Sequence, residues 1–142
     1  MKKIICFVLV ISIFAFCFCS CGKTEARIEG KDFELSYAQD SLNVKYCSAE
    51  NAQRFPNAEI VNCTLKAENG VLTVTNGEEV SSGTYELSKV LDNYVLYIFK
   101  IGEEESYVSM SQKEHEDGLV EYTIIWSVKG QTLNFTSGKI SE

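Results

Sequence analysis

Apolar and polar positions alternate along most of the chain after residue 31. Phe33, Leu35 and Tyr37 stand between polar neighbours, and Leu42, Val44 and Tyr46 repeat the pattern beyond Gln39-Asp40-Ser41. Successive side chains of a strand point to opposite faces, so a period of two predicts a hairpin with one buried face. Residues 48–55 break the alternation. Their helix-tolerant composition, with Ser48 as N-cap and Pro56 as stop, predicts at most one short helix near 48–55.

Beyond Pro56 the alternation returns and is cut at short intervals by turn residues. Segments 60–67 and 71–75 flank Glu68-Asn69-Gly70, and Asn-Gly is the strongest short hairpin signal. Asn76-Gly77 makes the next turn, Leu91-Asp92-Asn93 separates 84–90 from 94–101, and Gly102 to Glu105 leads into 106–111. Residues 113–118 precede 119–128, and Lys129-Gly130 turns the chain into 132–136. The prediction is all-β: an antiparallel meander of about eight or nine strands forming a small barrel or sandwich. Val120, Tyr122, Ile124, Trp126 and Val128 share one face of their strand. In 94–101 both faces are apolar, which predicts a strand covered on both sides.

The first twenty residues follow a different rule. Lys2 and Lys3 precede an uncharged apolar run over 4–18, followed by Ser20, Cys21, Gly22 and Lys23. That is the order of a secretory signal, and the run is short for a helix that crosses a bilayer, which takes about 20 apolar residues. Phe18-Cys19-Ser20-Cys21 resembles the lipobox of bacterial lipoproteins. The resemblance implies a diacylglyceryl group on the Cys21 sulfur and cleavage just before it, with Ser20 as the small residue at the cut. Cys17 and Cys19 each follow a phenylalanine and read as small hydrophobes of the discarded peptide. An ordinary cleaved signal and an uncleaved membrane anchor are the other readings. The expected organisation is a signal peptide over 1–20, a lipidated cysteine and tether over 21–30, and a single β-rich domain over 31–142. In the lipoprotein family Gly22, rather than Asp, after the modified cysteine implies the outer membrane if the source is diderm.

Charge narrows the partners. Without Lys2 and Lys3, 11 basic side chains face 20 acidic ones, a formal charge of −9. Such a domain repels nucleic acid and anionic headgroups, so attachment falls to membrane lipid through acylated Cys21. Cys47 and Cys63 remain as an even pair in an exported chain. A disulfide between them would close a loop of about 15 residues and stabilise by roughly 3 kcal/mol. Cys63 shares parity with Val61 and Leu65, which opposes a bridge, and two unpaired core thiols are the other reading.

Catalytic chemistry is hard to assemble from what remains. His115, the only histidine, sits in Lys113-Glu114-His115-Glu116-Asp117 and reads as a solvated acidic turn, as do Glu103, Glu104 and Glu105. Ser81-Ser82-Gly83 forms no nucleophile elbow, and no phosphate-cradling glycine loop is present. The expectation is a non-enzymatic protein with no metal and no cofactor. Its function is then binding or interaction, with an unknown protein or a small apolar ligand as partner. The units "NGVLTV", "SGTYEL" and "KGQTLNF" are similar to repeating units of small bacterial lipocalin-like domains, which implies a carrier. In that reading Tyr122, Ile124 and Trp126 line the ligand. The stretch from Ser81 to Tyr107 resembles the Ser-Gly-x-x-Tyr strand region of bacterial lysozyme inhibitors, which implies an inhibitor of a host or envelope enzyme instead. All these readings place the domain at the cell envelope, outside the cytoplasm.

Overall fold

The alternation becomes β-structure almost from end to end in residues 27–141, the residues that the computed structural model describes. In chain order the strands are β1 (Lys31–Gln39), β2 (Val44–Cys47), β3 (Glu59–Ile60), β4 (Cys63–Glu68) and β5 (Val71–Asn76). They continue with β6 (Glu79–Val90), β7 (Val95–Ile101), β8 (Glu104–Glu114), β9 (Val120–Val128) and β10 (Gln131–Ile140). From β4 onward each strand pairs antiparallel with the next, and β10 returns to β1 through Leu35↔Phe135 and Ala38↔Leu133. That last pairing decides between barrel and sandwich. The fold is all-β, with eight strands closed into an antiparallel barrel and β2 and β3 attached outside it.

The attachment follows from a bulge. β4 covers the β1 edge from Lys31 to Glu34, and β2 takes over the same edge from Tyr37 to Gln39. Between these two stretches the register of β1 against β10 shifts at Ser36. The extra residue reverses the parity, so the inward set is Phe33, Leu35 and Ala38, all buried. Tyr37, expected beside Phe33 and Leu35, therefore points out of the barrel. There its ring lies 5.2 Å from that of Phe55. β3 adds a two-residue parallel pairing to β2.

The helix expected near 48–55 shortens to a single 3-10 turn, Ala49–Asn51, continued by turns to Ala58. Asn51 donates through its amide nitrogen to the Ser48 hydroxyl rather than extending a helical ladder. One turn for several fixed residues is a poor helix nucleus, and with none of its three residues buried it gains nothing from packing.

Inside, side chains from the barrel walls meet in one packed core. Ile28, Leu65, Leu72, Phe99, Met110, Ile124 and Phe135 are fully buried in one cluster with the inward residues of β1 and β9. Burying a side chain of this size stabilises by about 1.5–3 kcal/mol. β7 corrects an expectation. Val95, Tyr97 and Phe99 are buried, but Leu96 and Ile98 on the outer face are only half-buried, between β6 and β8 with no further layer packed on them. β6 is the most exposed of the barrel strands: all of its twelve residues but Gly83 and Tyr85 are exposed.

Candidate functional site

Strand direction sorts the turns between the two barrel ends. The chain enters β1 at the end that also carries the β4–β5, β6–β7 and β8–β9 turns; the β5–β6, β7–β8 and β9–β10 turns lie at the other. The far end is acidic, with Glu78, Glu79, Glu103, Glu104 and Glu105. Lys129 reaches Glu104 at 3.0 Å, and Lys100 reaches Glu86 at 2.9 Å and Glu105 at 3.7 Å. The Glu86 contact, and less so Glu105, holds the Lys100 ammonium above its usual range.

The entry end holds a cavity of about 220 Å³ lined by Arg27, Ile28, Glu29, Leu87, Val90, Val95 and Tyr97. It exists because the strap before β1 plugs the barrel only in part. Ile28 inserts into the core, its N–H donates to the Tyr97 hydroxyl at 3.1 Å, and Gly30 N–H donates to Ala67 O at 2.7 Å. The Glu29 carboxylate accepts from the backbone N–H groups of Asn69 and Gly70, pinning the strap to the β4–β5 turn. A bulge between Leu87 and Lys89 turns both Leu87 and Val90 inward opposite Tyr97 and Val95. Among the described residues none covers them fully, and they stay half-exposed at the mouth.

Tyr122, Ile124 and Trp126, expected to line a ligand, lie in the packed interior instead of around this mouth. Trp126 packs edge-on against Phe99 at 5.5 Å between ring centroids, and its Nε1–H donates to Ser106 Oγ at 2.8 Å. The Lys31 ammonium stands 4.5 Å from the centre of the Tyr122 ring. These groups satisfy one another, leaving little to offer a ligand. The mouth residues escaped sequence reasoning because the shift at Ser88 breaks the strict alternation of β6. The apolar pair Leu87 and Val90, three apart within a strand, was the available signal.

Cys47 and Cys63 are both free. Cys47 faces Tyr37 across the β1–β2 pair, and directly paired residues share a face, so its buried thiol lies outside the barrel. Cys63 packs inward beside the barrel core. The sheet itself separates the two sulfurs, so the bridge considered above is not formed. Burial pushes the Cys63 thiol up, which keeps it protonated and weakly nucleophilic.

His115 is less exposed than a solvated turn implies. Its Nε2 stands 3.6 Å from Glu121 Oε2, a carboxylate of β9 and not one of its own turn, and that spacing is longer than a hydrogen bond. Asp117 accepts from Leu119 N–H at 3.2 Å and lies 3.4 Å from Lys139 Nζ; the Leu119 bond first, then the lysine charge, lowers its pKa. Among the described residues no three His, Cys, Asp or Glu side chains converge as metal ligands. Also among them, no helix is long and apolar enough to cross a membrane. Cys21 and the leader expected over 1–20 lie outside the described residues. Compared with protein-family models, with curated proteins and with solved structures, the chain matches none.

Proposed function

We propose that the protein is a non-enzymatic, lipid-anchored module of the bacterial cell envelope that recognises a protein partner with its outer surface. The observation that carries this reading is the filled barrel. With Tyr122, Ile124 and Trp126 packed against Phe99 and Met110, recognition falls to the surface. Among the described residues the outer wall offers a suitable patch. Ile98 pairs directly with Tyr107, Leu96 and Ile125 flank the same Ser109, and Tyr107 and Ile125 are exposed. Aromatic and aliphatic groups at the centre of such a patch are the usual anchors of a protein interface.

The lipid anchor rests on the lipobox-like Phe18-Cys19-Ser20-Cys21. Intact-mass measurement of the full chain, extracted from the membranes of a bacterial host, tests it. The expected product begins at Cys21 and carries acyl chains; a product retaining residues 1–20, or an unmodified Cys21, ends the proposal. The partner surface is tested by Tyr107→Lys with Ile125→Lys, which should abolish capture of partner while leaving the melting temperature nearly unchanged.

The cavity at the mouth supports a second reading, a carrier of a small apolar ligand. Organic extraction of the purified native protein distinguishes the two. A small molecule released at one equivalent per chain favours the carrier, and its absence favours the protein-facing module.

A further inference from the structure

Three features share the entry end of the barrel, and together they say what lies against it. The first is an exposed apolar rim on the β6–β7 hairpin. Leu87 is 51% exposed, Val90 48% and Tyr94 43%, the last two bracketing the turn Leu91-Asp92-Asn93. The second is the place where the chain leaves the described fold. Arg27, Ile28 and Glu29 line the same cavity as Leu87 and Val90, and the Ile28–Tyr97 and Glu29–Asn69 hydrogen bonds fix that exit point. Only residues 22–26 separate Arg27 from Cys21, and an extended chain advances at most about 3.6 Å per residue. An acyl group on Cys21 therefore stays within roughly 20 Å of the rim. The third is the charge beside the rim: Arg27 and Lys89 flank it together with the acids Glu29 and Asp92, while Glu68 and the β8–β9 turn with Glu114, Glu116 and Asp117 lie elsewhere on the same end.

We propose that the rim formed by Leu87, Val90 and Tyr94 seats on the lipid bilayer that holds the Cys21 anchor, so that the barrel stands mouth-down with its far end outward. The inference rests on the anchored reading and deepens it, because it names what covers the mouth. A single lipid signal gives reversible attachment and a second contact makes it durable; apolar side chains with an interfacial tyrosine are suited to that contact. Held this way, the barrel wall carrying Tyr107 and Ile125 remains open to a protein partner.

The test uses the full chain, purified from bacterial membranes and reconstituted in phosphatidylethanolamine–phosphatidylglycerol vesicles with and without brominated acyl chains. Two variants carry an added tryptophan, Tyr94→Trp at the rim and Val80→Trp on β6 near the far end; the buried Trp126 is common to both and is subtracted with the unsubstituted chain. Bromolipid should quench the rim tryptophan at least twofold more than the far-end one, and its emission should shift to shorter wavelength. Adding Leu87→Ser and Val90→Ser to Tyr94→Trp should halve that quenching or more. Equal quenching at the two positions in a chain whose intact mass shows acylated Cys21 overturns the docking and leaves the anchor standing. An unacylated Cys21 overturns both. A rim tryptophan that is shielded in native membranes yet unquenched in the vesicles overturns lipid as the occupant in favour of a protein.

Discussion

Gly83 shows how little freedom a single position in this wall has. Its φ is ordinary for a strand, yet a Cβ there would sit 2.0 Å from Lys100 O and 2.8 Å from Ile101 Cγ1. The obstacle is the backbone of β7, which cannot swing aside as a side chain would. Gly83→Ala should therefore destabilise the fold by about 1–3 kcal/mol or more, read as a fall in the denaturation midpoint. Asp40 is a different kind of residue constraint. Its carboxylate accepts hydrogen bonds from Leu42 N–H and Asn43 N–H, both at 2.9 Å, and those bonds, helped by Lys45, hold its pKa below 3.8. A depressed folded-state value means that the contribution is complete above pH 3.8 and is lost as the pH falls through the lowered value. Asp40→Asn should flatten the acid limb of a stability-against-pH curve below pH 4 and leave its slope near pH 7 unchanged. Of the residues that matter at this scale, the inward set of β9 was legible, because an unbroken period of two fixes which face a side chain takes. The outward turn of Tyr37 and the exposure of Leu87 and Val90 were not, since each follows a one-residue shift that leaves composition unchanged.

Among the elements, β2 and β3 differ from the rest. They pair with only a short stretch of β1 and with each other, β3 contributes two residues, and Ile60 and Tyr46 are exposed. Few buried contacts hold such a unit, so it should open without the barrel. Hydrogen exchange should find the amides of 44–47 and 59–61 exchanging at least tenfold faster than those of β9 at neutral pH. The turns that set the barrel strands were visible in advance. Asn69-Gly70 and Lys129-Gly130 take positive φ at both residues, as a tight two-residue hairpin requires, and both were marked by their Asx-Gly or Lys-Gly pairs. Elements between those turns ran longer than the alternation indicated. β6 begins at Glu79 and β8 ends at Glu114, because exposed polar residues continue a ladder whose neighbours already fix it.

At the scale of the molecule the decisive pairing is β1 with β10, which joins Leu35 to Phe135 across nearly the whole domain. No local pattern announces it, which is why barrel and sandwich were equally compatible with the sequence. Closure late in the chain also makes folding wait on a distant contact, so refolding should occupy milliseconds to seconds in a stopped-flow experiment. The site was less legible than the fold for a related reason: the mouth is assembled from the strap before β1 and from a hairpin some sixty positions later, and neither carries a motif. The strap has a mechanical meaning as well. A pull on the residues upstream of Arg27 enters the barrel along β1, whose hydrogen bonds to β4 and β10 bear it side by side, after Ile28 has been drawn from its socket. Rungs loaded in parallel yield together rather than one by one, so a force applied to the segment before Arg27 should meet a stiff joint at this end of the protein.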